Sequence, residues 1–380
     1  SGSREILAKP ISMIAETPDG EISWAESHAK FTGVSPGAVI LESHSIGSQF
    51  EMDCRARMEF DGYINFSITI YAGTGSPGVR DIRLEIPLRH EIATYMMGMG
   101  RKGGYRPGEW NWVWDEKLAN NSLWIGDVDA GLHCKLKGSE DAWELYRLGT
   151  AGIPKSWDNN GRGGCRVVER SDDQVIIQAY SGERRFDRGE KLEFRFGLLI
   201  TPVKPLDPSH WNQRYYHAYV PASTVRESGA NIVNIHHGNE INPNINYPFL
   251  AADKLSAYVK EAHEKGIKVK IYYTIRELSN YVAEMWALRS LGNEIFVDGP
   301  GGGHSWLCEH LVSGYVPAWH HVYPSGEVDA AIATTGLSRW HNYYLEGSRW
   351  LLKNVEINGL YLDGIGYDRE IMKRVRKVLD

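Results

Sequence analysis

Carboxylates at the ends of buried strands are the residues of this chain best placed to do chemistry. The run Gly359-Leu360-Tyr361-Leu362-Asp363-Gly364-Ile365-Gly366-Tyr367-Asp368-Arg369 reads as strand, loop and helix start. Leu360, Tyr361 and Leu362 are the buried strand, and a charged helical pattern follows from Arg369 to Val378. In a barrel of parallel strands, an acid where the strand ends faces the mouth at which ligands bind. Asp363 is therefore the first candidate for a catalytic carboxylate. Asp-Gly is also common turn chemistry, so a capping Asp363 is the competing reading.

Other strand ends carry similar sets. After Asn231–Ile235 come His236, His237, Asn239 and Glu240. At the end of Lys268–Thr274 stand Tyr273, Arg276 and Glu277. A third strand falls in either Trp306–Leu311 or Val328–Ala333, with Glu309, His310, Trp319, His320 and His321 nearby. Polar and aromatic residues after four apolar strands in register point to one shared mouth. We assign substrate contact to His236, His237, Asn239, Tyr273, Arg276, His310, Trp319, Tyr367 and Arg369.

The chemistry this set suits is carboxylate chemistry. Glycoside hydrolysis uses two carboxyls across the scissile bond, one as acid and one as nucleophile or base. Asp363 suits the nucleophile, and Arg369 could hold it ionised. Asp368 and Glu309 are the candidate acids, although Asp368 also sits where a helix N-cap is expected. Other chemistries lack their signatures. No GxSxG elbow or Walker loop is present. Gly98-Met99-Gly100-Arg101-Lys102-Gly103 fits a bare dinucleotide pattern but has no following helix. The pairs His236-His237 and His320-His321 are sequence neighbours, whose side chains point to opposite faces of a strand. We expect neither a metal nor an organic cofactor; the alternative readings are a non-catalytic carbohydrate-binding protein and a metal-dependent hydrolase using His and carboxylate ligands.

The elements that must position these residues change character along the chain. Up to about Ile200 the chain is β-rich. Glu51–Phe60, Tyr63–Tyr71 and Val79–Pro87 alternate at period two, with Asp61-Gly62 as a hairpin signal. Val167–Val168, Gln174–Tyr180 and Lys191–Ile200 continue the pattern, which predicts an antiparallel β-sandwich without a long helix. Met96 to Asp115 is different, with five glycines and the tryptophans Trp110, Trp112 and Trp114. It reads either as a loop reaching over the second domain's pocket or as a strand with tryptophans on one face. Thr201-Pro202-Val203-Lys204-Pro205-Leu206-Asp207-Pro208 is a stiff connection. Beyond it, helices Ala251–Lys265, Ser279–Ser290 and Leu337–Lys353 alternate with the strands, which implies a parallel sheet. The expected domains are 1–204, a sandwich, and 205–380, a (β/α)8-type barrel. A whole barrel needs about 250 residues. The second domain holds about four βα units and stops in a helix pattern, so we expect the barrel to be cut short.

Composition narrows the class. Charged residues are 24% and hydrophobic residues 42% of 380, which is ordinary for a globular chain. A net charge of -6 argues against nucleic acid as a main partner. No apolar run reaches the roughly 20 residues of a membrane helix. Cys54, Cys134, Cys165 and Cys308 form no CxxC pair. The 13 Trp and 20 Tyr offer flat apolar faces with polar edges, which suit the C–H faces and hydroxyl rims of sugars. A glycan is the expected partner. Ser1-Gly2-Ser3 reads as a cloning remnant, so a removed signal peptide and a periplasmic or extracellular location are expected.

The junction Phe196-Gly197-Leu198-Leu199-Ile200-Thr201-Pro202-Val203-Lys204-Pro205 resembles that of glycoside hydrolase family 123-like proteins of gut bacteria. Those have a β-sandwich before a catalytic barrel, and the resemblance covers both parts of the chain. Tyr361-Leu362-Asp363-Gly364 is also similar to the nucleophile strand of endo-α-N-acetylgalactosaminidases and α-galactosidases. There the nucleophilic aspartate ends strand four and the acid comes from a later strand. The resemblance thus implies Asp363 as nucleophile of a retaining enzyme on a galactosyl or N-acetylgalactosaminyl glycan. An acid on a later strand would lie beyond Asp380. Family 123 proper uses an adjacent Asp-Glu pair with the substrate's acetamido group as nucleophile. The barrel segment has no such pair; Asp115-Glu116 lies in the β domain.

Overall fold

Period-two alternation in the first half of the chain becomes two antiparallel sheets. A computed structural model describes residues 4–73, 78–114, 121–138, 154–170, 173–187, 189–205, 207–335, 338–363 and 368–380. Two compact units emerge, one reaching Leu206 and one running from Asp207. In the first, a nine-stranded sheet and a six-stranded sheet share one apolar core. Ile82, Leu84 and Ile86 enter it from the smaller sheet, and Ile68, Ile70, Phe194 and Phe196 from the larger. Each set is spaced by two, as strand geometry demands. Among the described residues the longest helix of this unit has four residues, Lys155–Asp158.

The glycine- and tryptophan-rich segment is not a free loop. Tyr95–Gly98 and Arg101–Tyr105 form an antiparallel pair at the edge of the nine-stranded sheet. Glu109–Val113 pairs with Gly164–Arg170 in the other sheet. Gly98 has φ 100°, and a Cβ there would lie 2.3 Å from the Ser122 carbonyl oxygen, so a side chain is excluded. Trp112 is buried in the core, with the Trp114 ring edge-on at 4.7 Å. Asp115 lies outside the described residues.

The second unit is built on four parallel strands in the order Tyr215–Tyr216, Ile232–Ile235, Lys268–Tyr272, Gly359–Tyr361. Ile232 pairs with Lys268, and Lys270 with Gly359, so the carboxyl ends lie at one edge. The helix Ala252–Glu264 buries Leu255, Tyr258, Val259 and Ala262, one stripe of its surface. Gly266, at φ 69°, ends that helical segment. The helix Trp340–Trp350 buries Tyr344, Leu345 and Gly347. A Cβ on Gly347 would stand 2.2 Å from the Tyr273 hydroxyl, so only glycine allows this approach to the third strand.

Several expected elements are corrected. The first parallel strand is Tyr215–Tyr216, a two-residue element with no readable period. Ser305–His310, overlapping the expected Trp306–Leu311 strand, is helical. Val328–Ala333 is a strand, but it pairs antiparallel with Glu277–Ser279 and Pro317–Val322 in a separate three-stranded sheet. That sheet lies in sequence between the third parallel strand and the helix Trp340–Trp350. The helix expected over Ser279–Ser290 shortens to Met285–Arg289, because Glu277, Leu278 and Ser279 are buried and paired with Ala331, Ile332 and Ala333. No helix of the described residues is long and apolar enough to cross a membrane.

Asp368 is a helix cap rather than an acid facing a substrate. Its Oδ1 accepts from the Glu370 N–H at 2.8 Å and the Ile371 N–H at 3.1 Å, opening the helix Arg369–Leu379. This satisfies two of the donors that a helix start leaves unpaired. Asp368→Ala is expected to destabilise the second unit by about 1 kcal/mol. Asp368→Asn should retain most of that stability, since Asn caps nearly as well. Chemical denaturation of the two variants checks this, and equal losses would contradict it.

Candidate functional site

The site is assembled where the parallel strands end. His217 follows the first, His236 and His237 the second, and Asp363 stands two residues beyond the fourth. Tyr272 is the last residue of the third strand and pairs with Tyr361. The rings form one cluster. His236 lies 4.5 Å from His237 and 4.5 Å from Tyr272, centroid to centroid. His217 meets Tyr361 edge-on at 5.0 Å. Trp319, from the antiparallel sheet, stands edge-on to His237 at 4.4 Å and is 39% exposed.

Beside the rings stands a charged group. An Arg276 Nη2 N–H donates to Asp363 Oδ2 at 3.3 Å. The same nitrogen reaches the Tyr272 hydroxyl at 3.4 Å, and Arg276 Nε donates to Glu277 Oε1 at 3.3 Å. The Tyr272 hydroxyl donates to Glu277 Oε1 at 3.0 Å. Exposure is graded across the trio. The Asp363 side chain is 45% exposed, Arg276 24% and Glu277 4%. The solvent-facing carboxylate therefore reads as the one a substrate can reach.

Backbone anchors fix this segment. The Ile275 carbonyl accepts from the Thr334 hydroxyl and from the Trp340 indole N–H at 2.9 Å. Asn246 bridges the loops, its Oδ1 accepting from the Thr274 N–H at 2.6 Å and its amide donating to the Glu277 carbonyl at 2.6 Å. Asn239 builds the turn after the histidines: its Oδ1 accepts from the Ile241 and Asn242 N–H groups, and its amide donates to the His236 carbonyl at 2.7 Å.

Burial and charge set the protonation states. Burial pushes the Glu277 carboxyl up, with Arg276 and Tyr272 pulling against it. Burial lowers His236, helped by His217 and opposed by Asp363. Burial and the neighbouring His236 and His321 push His237 down to about 3. Neither ring nitrogen of His237 has a hydrogen-bond partner among the described residues. Among those residues, no three His, Cys, Asp or Glu side chains converge as metal ligands would.

Several expected site residues go elsewhere. Tyr273 is fully buried and stacked on Tyr344 at 4.7 Å, because it neighbours Tyr272 and so faces the other way. Asn239 is a turn builder, as above. Glu309 and His310 lie on the helix Ser305–His310. Glu309 lines a cavity of about 490 Å³ with Tyr281, His304 and Trp306, and His310 stacks on Trp306 at 4.2 Å. Arg369 is the first residue of the C-terminal helix. Tyr367 lies outside the described residues, as do the Ile365 and Gly366 N–H groups on which a capping Asp363 would turn. Conversely, His217, Tyr272 and Tyr361 enter the cluster without having been assigned to it, and Glu277, placed at the mouth, had been given no role. Period two could have separated Tyr272 from Tyr273; the burial of Glu277 had no sequence signal.

Barrel glycosidases place carboxylates at this edge of a parallel sheet. Comparison with family models takes the class to a family. The chain belongs to glycoside hydrolase 123: residues 1–202 match its third domain and residues 207–380 its TIM-barrel domain. No curated protein matches the chain. Among solved structures it is similar to a GH36 α-galactosidase from Geobacillus stearothermophilus, with 9% identity and a TM-score of 0.40, covering 97% of this chain and 59% of that one. An α-galactosidase from Lactobacillus brevis matches at 8% identity and a TM-score of 0.38, covering 97% and 56%. The chain thus spans under two thirds of the length of these enzymes.

The buried imidazole of His237 makes a pH test. The unfolded chain takes up this proton near pH 6.5, the folded chain only near pH 3. Folding therefore becomes less favourable as pH falls from 6.5 towards 3, by up to about 1 kcal/mol per pH unit. In His237→Phe, which has no imidazole to protonate, urea denaturation at pH 7 and pH 5 should show a smaller loss than in the parent. An unchanged loss would place the acid sensitivity elsewhere.

Proposed function

We propose that the protein is a retaining glycosidase acting on a galactosyl or N-acetylgalactosaminyl glycan, with Asp363 as nucleophile. The observation that carries this reading is the half-exposed Asp363 carboxylate at the strand ends, 3.3 Å from a guanidinium held from behind by a buried glutamate. A nucleophile must be ionised, reachable and held in place. The cation beside it orients it.

In the first step an Asp363 oxygen bonds to the anomeric carbon. The glycosidic C–O bond breaks, and its electron pair leaves with the aglycone oxygen, which takes a proton from a carboxylic acid. Water then attacks the same carbon, gives a proton to the acid's conjugate base, and releases Asp363. Tyr361 and Trp319 offer ring surface to the apolar face of a sugar, and His236 offers ring nitrogens to its hydroxyl rim. Asp363 is followed by glycine rather than glutamate, unlike the adjacent Asp-Glu pair of family 123 proper, which favours direct carboxylate attack over assistance by the substrate's acetamido group.

The test uses the longest protein its gene encodes, screened on 4-nitrophenyl galactosides, 4-nitrophenyl N-acetylgalactosaminides and galacto-configured glycans. Asp363→Asn should lower kcat/KM by roughly a thousandfold or more while the fold persists. A 2-deoxy-2-fluorogalactosyl fluoride should label Asp363, seen by peptide mass spectrometry. Near-normal turnover of Asp363→Asn, or an inverted product, would refute the assignment.

A further inference from the structure

A buried carboxyl needs partners, because an isolated charge out of water neutralises or destabilises the fold. Glu277 has two donors on its Oε1, the Tyr272 hydroxyl and Arg276 Nε. It begins the strand Glu277–Ser279, which is buried throughout and paired with Ala331, Ile332 and Ala333. Its backbone is tied as well, since its carbonyl accepts from Asn246. The carboxyl is thus fixed at both ends of the residue.

Arg276 lies between this fixed carboxyl and the exposed one. A guanidinium is a rigid planar fork, so holding one nitrogen aims the others. With Nε on Glu277, Nη2 turns to Asp363 and to the Tyr272 hydroxyl. The groups thus close a small circuit: Tyr272 donates to Glu277, and Arg276 donates to both. Burial keeps water from competing for Glu277, while Asp363 at the open end competes with solvent for its share of the cation.

We propose that Glu277 is a positioning residue for Asp363, acting by holding Arg276 with its guanidinium turned towards the nucleophile. This rests on Asp363 being the nucleophile. Glu277 does not touch the substrate; its 4% exposure leaves it no route to a glycosidic oxygen. Its role is to stop the Arg276 fork from swinging into solvent, where it would no longer orient Asp363. Misplacing a reacting group by about 1 Å can cost a hundredfold.

Two variants separate this role from others. In Glu277→Gln the amide oxygen can still accept from Tyr272 and Arg276, so the aim survives. In Glu277→Leu it cannot. With a 4-nitrophenyl glycoside that the enzyme turns over, Glu277→Leu should lose roughly tenfold to a hundredfold in kcat/KM. Glu277→Gln should stay within a few-fold of the parent. In an Arg276→Leu background, Glu277→Leu should cost little more, since both act through one contact.

Crystal structures of the two variants give a reading independent of turnover. The Arg276–Asp363 contact should persist in Glu277→Gln and be lost in Glu277→Leu. A retained contact in Glu277→Leu would overturn the proposal. A Glu277→Gln variant as inactive as Glu277→Leu, but restored on an aryl glycoside that needs no acid, would overturn it in favour of an acid role. If Asp363→Asn is inactive while Glu277→Leu equals the parent, only this proposal fails. If Asp363→Asn is active, the nucleophile reading fails first.

Discussion

Parallel pairing is the constraint on which the site depends. In a parallel sheet every strand must run the same way, so all carboxyl ends arrive at one edge. Here the pairing of Tyr272 with Tyr361 brings the residues after Ile235, Tyr272 and Tyr361 to one level. Arg276 and Asp363, 87 residues apart in sequence, meet because their strands are bonded neighbours. A side-chain contact set that way inherits the rigidity of the backbone ladder. Sites on regular elements hold their geometry better than sites on free loops.

The three-stranded antiparallel sheet adds what the parallel sheet lacks. Its strand Glu277–Ser279 takes Glu277 out of water. Its strand Pro317–Val322 contributes Trp319, which shields one side of His237. A small apolar cluster of Ile245, Tyr272 and Ala331, with Tyr361 packed on it, joins the two sheets. The exposed groups of the cluster thus rest on a buried polar layer, and most of that layer is satisfied by hydrogen bonds. Among the described residues the exceptions include the two ring nitrogens of His237, the Tyr273 hydroxyl and Asn242 Oδ1.

What the sequence revealed follows from range. The strands around Val233, Val269 and Leu360 were legible because a buried parallel strand is a short apolar run between polar ends. The alternation near Ile68, Ile86 and Ile177 marked antiparallel sheets for the same local reason. Tyr215–Tyr216 was not legible, since two residues carry no period. Ala330-Ala331-Ile332-Ala333 announced burial but not its partner, and direction of pairing is a long-range fact. Glu277 was read as one more polar residue after a strand. Its burial arises only when Tyr272 and Arg276 enclose it. Asp368 shows the opposite case: the cap position was visible in the sequence, and the backbone N–H groups take up the carboxylate as local chemistry prescribes.

Among the described residues, the strand Gly359–Tyr361 is bonded on one side only, to Lys268–Tyr272. Its lead-in is pinned by the Asn358 N–H donating to the Val269 carbonyl and by Asn358 Oδ1 accepting from the Val269 N–H. Asn358 thus uses both its backbone and its side chain on one residue of the neighbouring strand, so the run into Asp363 is set against Val269 before the strand begins. The Arg276 guanidinium, donating to Asp363 just past the strand's end, is a second tether to the same neighbour. The stretch between Asn358 and Asp363 is therefore fastened to the chain around Lys268–Tyr272 at both of its ends, by an amide at one and a cation at the other.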